Sequence, residues 1–412
     1  LSLSAYHPLV PESSDDIYDG LFDGHVEFDP QAPLEELLSK LPGRWCVYCF
    51  ADVERRPVQL LCVRTLRASV KRRLGIIEAP DEPTKRINYR EVVRHLFFRR
   101  VDGALEQDLL YQDAARALFP SQYRTLVPDR PAWFVHVDPE ATHPRFRVVN
   151  DPRESTGRLF GPMSEKQQAT ALVESLEDLF DLCRYHHLLV QSPDARACPY
   201  KDMGRCPAPC DGSITLQAYR SLVHLAIGFL DDPTATIRQH ERRMKQAAEE
   251  LLFEQAESVR KLVEEMKALT RGPYRMLQSM ESFGFVALQR GSRARTAKLF
   301  LVTPGACEHV LSLTGRDNGL GGVVGSVLSM HERLPRVPRD PRSVERLACV
   351  AQHMLSAKAP AVFLPLRDCD ERSLASALRE LVKAPAEPET APDDEGVVRE
   401  STTGLPKLDA DV

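Results

Sequence analysis

The sequence predicts an α+β chain built from several small modules, and three observations carry that prediction. Two runs rich in β-formers, RWCVYCFAD (44–52) and VQLLCV (58–63), flank a polar turn in the manner of a hairpin. Apolar residues recur at helical spacing in 104–119, 165–182 and 215–231. Between the last two helices lies a stretch, 183–212, dominated by Cys, Pro and Gly. A length of 412 residues predicts two or three domains. With 43% hydrophobic and 27% charged residues, most of the chain has the means to bury a core. The longest apolar runs, such as 361–366, fall short of the ~20 residues a membrane span needs. The first 39 residues hold no Lys or Arg, hence no positive n-region of a signal peptide. The expectation is a cytoplasmic protein with no membrane partner.

Taken in order, residues 1–33 read as a poorly structured arm. Residues 1–39 carry nine acids and no Lys or Arg. Residues 34–43 read as a short helix closed by Pro-Gly, followed by the hairpin. From Arg64 to Leu74 the sequence turns helical and basic. Residues 64–100 hold eleven Lys/Arg against four acids, 11 − 4 = +7. Such a local excess suits a polyanion such as DNA, with Arg64, Arg67, Lys71, Arg72 and Arg73 as the contacts. The plainer reading is a solvated helix face. The helix over 104–119 ends at Pro120, and 132–137 and 145–149 read as strands. After Gly161-Pro162 the helix over 165–182 runs directly into Cys183. The next helix, 215–231, places Tyr219, Leu222, Leu225, Ala226 and Phe229 on one face. Residues 235–270 read as two charged helices folded as a hairpin. Gly272-Pro273 marks a boundary. Beyond it, strands (FVAL, KLFLV, AVFLPL) and helices (343–356, 371–383) suggest a separate α/β domain. DNGLGGVVG (317–325) lacks the Lys-Ser/Thr of a phosphate loop and reads as a flexible loop. The tail from Pro385 is acidic, rich in Pro, and expected to be disordered.

Of ten cysteines, four cluster in the spacing Cys183-x14-Cys198-x7-Cys206-x3-Cys210. Ten are too few for a disulfide scaffold in a chain this long, so clustering points to metal or catalysis. Four thiolates on one loop suit zinc or an iron–sulfur cluster. A zinc ribbon usually offers two tight knuckles, whereas only the last pair is close here, which favours a cluster wrapped by a loop. Pro199, Pro207 and Pro209 stiffen that loop.

GRCPAPCDG (204–212), preceded by CPYKDM and followed by Tyr219 and FLDD (229–232), resembles the cysteine-rich segment of UvrC, the nuclease subunit of the bacterial UvrABC excinuclease. LFGP (159–162) and LFDLC (179–183) resemble what precedes it in that family. Cys183 departs by two residues, since the family's first cysteine falls at Tyr185. The resemblance implies a [4Fe-4S] cluster on Cys183, Cys198, Cys206 and Cys210, with zinc as the alternative. Residues 242–266 resemble the family's UVR motif at Met244, Ala247, Ala248, Leu251, Phe253, Glu254, Ala256 and Arg260. Glu257 and Lys261 depart from it. This implies a UvrB-like partner met through Met244, Phe253, Glu254 and Arg260.

The layout of 34–160 resembles a GIY-YIG endonuclease domain with eroded motifs. Gly43-Arg44-Trp45 stands where the family has Gly-Ile/Val-Tyr, and Leu61-Cys62-Val63 where it has Tyr-Ile/Val-Gly. Tyr48, three residues from Trp45 and on the opposite strand face, is the remaining tyrosine and a catalytic candidate beside Glu106, Arg72 and Arg73. Glu106 falls on the Mg²⁺-binding glutamate, and Arg72 or Arg73 on the phosphate-neutralising arginine. The resemblance covers about 34–270 and suggests a short, Cho-type homologue without the family's C-terminal nuclease half. The fold expected is therefore α+β: a small GIY-YIG-like α/β domain (34–160), a cysteine-rich cluster loop with flanking helices (161–232), a helical hairpin (233–271) and a further small α/β domain (272–384). An acidic arm (1–33) and tail (385–412) flank them. The function implied is nucleotide excision repair: binding DNA and a UvrB-like protein, with a candidate metal-dependent endonuclease. The alternatives are a catalytically degenerate DNA-binding accessory protein and a redox-sensing Fe-S protein.

Overall fold

The computed structural model describes residues 17–75, 88–153, 156–291, 293, 295–314, 319–335, 337–338, 340–356, 361–383 and 397–400. Its first module begins with β1 (Gly24–Glu27), α1 (Leu34–Lys40), β2 (Cys46–Ala51), β3 (Pro57–Val63) and α2 (Leu66–Leu74). It continues with α3 (Tyr89–Val92), β4 (His95–Arg100), α4 (Ala104–Leu118) and α5 (Tyr123–Leu126). The antiparallel order is β1-β4-β2-β3, with a fifth strand beyond β3 contributed from the far end of the chain. Strand β2, CVYCFA, is buried along its whole length because helices cover both faces of the sheet. Cys46, Tyr48 and Phe50 pack with α1 and α2 on one face. Val47, Cys49 and Ala51 pack with α4 and α5 on the other, as the two-residue strand period requires.

The second module comprises β5 (Trp133–Val137), β6 (Phe146–Val149), β7 (Arg158–Met163), α6 (Lys166–Leu179), α7 (His186–Leu189), α8 (Pro199–Asp202) and α9 (Leu216–Asp231). Leu172 and Leu176 of α6, Tyr219 and Phe229 of α9, and Phe160 of β7 form its core. Full burial of such side chains contributes about 1.5–3 kcal/mol each. Two helices follow, α10 (Pro233–Glu249) and α11 (Phe253–Ala268). The Asp232 side chain caps α10 by accepting the Ala235 N–H at 2.9 Å, with Pro233 at the first helical position.

The remaining elements are β8 (Gln278–Ser279), β9 (Phe285–Arg290), β10 (Thr296–Thr303), β11 (Ala306–Thr314), α12 (Leu320–Arg333), α13 (Pro341–Leu355), β12 (Ala361–Pro365), α14 (Glu371–Lys383) and β13 (Val397–Glu400). The third sheet is antiparallel in the order β11-β10-β9-β12. One face carries α13, the other α12 and α14. The α13 face is shared with the other modules: Leu105 and Leu109 of α4, Phe134 and Leu159 of the second sheet, and Phe285, Ala287 and Phe363 of the third form a single core.

Several expectations need correction. The arm is not unstructured over residues 17–33. Gly24–Glu27 pairs with β4, and Tyr18, Leu21 and Phe28 are buried, so aromatic and aliphatic anchors override the acidic composition. The flexible loop predicted at 317–325 becomes helical from Leu320. Leu320, Val323, Val324 and Val327 form a stripe against the third sheet that outweighs the glycines. Part of the tail, Val397–Glu400, forms β13 along the edge of β3. The rest of the tail, and the start of the arm, lie outside the described residues. The boundary at 272 is crossed by β8, which pairs with β7 in the second sheet. Leu225, expected on the buried face of α9, is 60% exposed, and Val223, Ile227 and Leu230 are buried. No disulfide joins any of the ten cysteines. Among the described residues no helix is long and apolar enough to cross a membrane.

Candidate functional site

The four clustered cysteines sit where α6 ends and α9 begins. Cys183, Cys206 and Cys210 are buried, and Cys198 is half-buried. Cys198 precedes α8, with Pro199 opening the helix. Cys210 lies in a 3-10 turn, Pro209–Asp211, flanked by Ala208 and Gly212, both with positive φ (55° and 79°). Ala208 is 1% exposed in this left-handed conformation, so the surrounding loop enforces it. The Ala195 N–H donates to Cys210 O at 3.0 Å, and Ser192 Oγ donates to Pro209 O at 2.5 Å. The Cys183 N–H donates to Tyr219 Oη at 3.3 Å, which ties the loop to α9.

The loop brings Cys183 and Cys206 within hydrogen-bonding reach of each other. Cys183 and Cys206 share a thiol hydrogen bond that raises the Cys183 pKa and lowers that of Cys206. Cys210 is pushed up first by burial, with charges at Cys206 and Cys198 adding to it. Tyr185, at the family's first-cysteine position, is 41% exposed, with its ring against Tyr200 and His187. Cys183 takes the inward place instead. Cationic groups surround the thiols. Arg184 lies 4.2 Å from the Tyr200 ring centroid and donates to Arg205 O at 3.1 Å, and Lys201 pairs with Asp211 at 2.6 Å. Such charges offset the negative charge of a thiolate-ligated centre. The donor set and its surroundings fit a metal cluster.

The nuclease-like face is organised differently. Tyr48 is fully buried on the α1–α2 side, where its hydroxyl meets Ser69 Oγ at 2.7 Å. Trp45, in place of the first motif tyrosine, has the Arg64 guanidinium 5.2 Å from its ring centroid. Val63, in place of the second motif glycine, is fully buried opposite Cys46. Helix α2 carries Arg64 at its approach and exposes Arg67, Lys71 and Arg72, whereas Arg73 is half-buried and donates to Ser69 Oγ at 3.0 Å. Arg67 Nε also donates to Leu41 O at 2.6 Å.

Glu106 lies on α4, across the sheet from Tyr48 and α2. Its carboxylate accepts the Asp102 N–H at 2.9 Å and takes Lys298 Nζ at 2.7 and 2.9 Å. Lys298 also pairs with Asp102 at 3.0 Å. Burial works against the Lys298 charge, but Glu106 and Asp102 outweigh it and the pKa is raised. Gln289 Oε1 accepts the Glu106 N–H at 3.2 Å. The position of a cation beside Glu106 is thus taken by an ammonium group, and these residues do not fit Mg²⁺ as arranged. Sequence reading missed Lys298 because 192 positions separate it from Glu106 and no local pattern marks it.

In the hairpin, Leu251, Leu252 and Phe253 form an exposed apolar tip, at 70%, 42% and 65% exposure. Met244, Glu254 and Arg260 lie along the two helices, and Arg260 Nε pairs with Glu257 at 2.7 Å. Ile237, Val263 and Met266 anchor its base on the second module.

A thiol-lined loop set between two core helices, with an apolar-tipped helical hairpin beside it, defines a modular α+β protein. Residues 132–229, the heart of that arrangement, match the family model of the UvrC/Cho excinuclease middle domain. UvrABC system protein C of Syntrophomonas wolfei is 25% identical over 276 residues, covering 66% of this chain and 45% of that protein. That of Trichlorobacter lovleyi is 29% identical over 234 residues, covering 56% and 38%. That of Gemmatimonas aurantiaca is 26% identical over 350 residues, covering 84% and 53%. The chain is thus similar to the UvrC/Cho family over its middle part, and it spans about half the length, or less, of these relatives. No solved structure matches it.

Proposed function

We propose that the chain is a nucleotide excision repair protein that binds DNA through α2 and a UvrB-like protein through its helical hairpin, without cutting DNA itself. The observation that carries this reading is the Glu106–Lys298 ion pair at 2.7 Å, which takes up the carboxylate a GIY-YIG nuclease reserves for its metal. The burial of Tyr48 and the separation of Glu106 from α2 by the sheet support it as well. Arg64, Arg67, Lys71 and Arg72 supply a cationic face for the phosphate backbone, and Arg73 steadies the helix through Ser69. Cys183, Cys198, Cys206 and Cys210 are the ligands of a [4Fe-4S] cluster, which when bound ties the ends of the loop to one centre. Zinc is the alternative, less favoured because only Cys206 and Cys210 form a tight knuckle of the kind a zinc ribbon repeats. The hairpin tip, Leu251 to Phe253, offers the apolar anchor for a matching hairpin on the partner.

The test is an Mg²⁺-dependent nicking assay on damaged and bubble duplexes, using protein purified anaerobically with iron and sulfide determined on the same sample. The expected result is duplex binding with no incision, unchanged by Glu106→Ala. Incision that Glu106→Ala abolishes would overturn the non-cutting reading.

A further inference from the structure

The junction of α4 and α13 holds a second group of donor atoms, independent of the cysteine loop. Cys349 and His353 are four residues apart on α13, so both project from one face of the helix. That face meets α4, where Asp108 presents its carboxylate. His353 Nε2 and Asp108 Oδ2 are 3.0 Å apart. One donor atom from each of Asp108, Cys349 and His353 lies within 4.8 Å of the other two. Among the described residues no other three Cys, His, Asp or Glu side chains converge this closely. The Asp108 and His353 side chains are 15% and 13% exposed, and Cys349 is 9% exposed.

A His–Asp hydrogen bond alone would be ordinary buried chemistry. The thiol as third member changes the donor set to one nitrogen, one oxygen and one sulfur around a common point. That set suits a borderline divalent cation. The charges close as well: a carboxylate and a thiolate neutralise a dication, and a neutral complex tolerates partial burial far better than an isolated charge does. There is also a route in. Asp108 and Cys349 lie in the wall of a cavity of about 270 Å³, whose polar lining includes Gln112, Asn150 and Glu345.

We infer that Asp108, Cys349 and His353 bind a single divalent metal ion of the zinc type through three protein ligands, with the fourth position open to this cavity. Binding releases the Cys349 thiol proton to solvent, so affinity rises with pH. The ion joins the first module to the third at one end of the α4–α13 contact. The other end is held by Asp113, which pairs with Arg346 and, at 2.7 Å, with Arg342.

Titration of the full-length chain with Co²⁺, after chelation of other metals, tests the site. Wild type, Cys349→Ser and His353→Gln are compared as difference spectra, which isolate this site from whatever the cysteine loop holds. Wild type should show a tetrahedral cobalt spectrum with a thiolate-to-cobalt charge-transfer band. Cys349→Ser should lose that band, and His353→Gln should weaken Co²⁺ binding at least about 10-fold. Zn²⁺ should displace the cobalt and raise the urea midpoint of wild type but not that of His353→Gln, with the metal-free proteins unfolding alike. Identical cobalt spectra and affinities in all three proteins would overturn the assignment. So would a charge-transfer band that persists in full in Cys349→Ser.

Discussion

Single side chains show how strongly local surroundings set the state of a polar group in this chain. Glu106 on α4 takes Lys298 as its counter-charge. Tyr48 has kept its phenol, yet its hydroxyl is committed to Ser69 inside the core. Glu177 shows the same control by surroundings in a form that pH reports. Burial raises its carboxyl to about 7, with Arg184 opposing the rise. The folded pKa lies above the unfolded value, so the folded state binds the proton more tightly. That contribution to stability is complete below about pH 4 and is lost as pH rises through 7. Glu177→Gln should therefore stabilise the protein at pH 8 by on the order of 1 kcal/mol, a figure discounted for the group's partial exposure. It should change nothing at pH 4. Urea midpoints at the two pH values check this.

At the level of elements, the helical hairpin separates the surface proposed to meet a partner from the surface that holds it in place. Its base is buried through Ile237, Val263 and Met266, while its tip projects. Phe253→Ala should leave the urea midpoint within about 0.5 kcal/mol of wild type. It should weaken binding to a UvrB-like hairpin about 10-fold or more, as an exposed aromatic anchor does. Calorimetric titration reads the second quantity. The hairpin, α4, α6 and α9 were legible in the sequence because each is long enough for helical spacing to repeat. The α12 helix was not, because Gly321, Gly322 and Gly325 mask a stripe that becomes clear only against the third sheet. Strands β1 and β13 span four residues each, too few for alternation to stand out from acidic, Pro-rich surroundings.

Across the whole molecule, one core ties the three modules together, and charge is segregated around it. The basic face on α2 belongs to the first module, away from the shared core. Replacing Arg64, Arg67 and Lys71 together with Gln should reduce the slope of log affinity for duplex DNA against log salt by about 2–3. The protein should still fold, at a cost of about 1–2 kcal/mol for the lost Arg67 bond to Leu41 O and Arg64 contact with Trp45. Anisotropy titrations across a salt series measure the slope. The same scale explains what the sequence reveals of the sites. The four-thiol loop is legible because its cysteines fall within one short segment and need no tertiary structure to be seen as a group. The Lys298 partner of Glu106, and Asp108 beside Cys349 and His353, are brought together only by the docking of α4 on the third module.

The first sheet has β1 at one edge and β13 at the other. Strand β13 comes from residues 397–400, so that edge stays open during synthesis until both later modules have been made. Up to that moment β3 presents an unpaired backbone to any extended chain nearby. The closing strand therefore acts as a late safeguard against aggregation, and a nascent chain stalled before it is the form most in need of a chaperone.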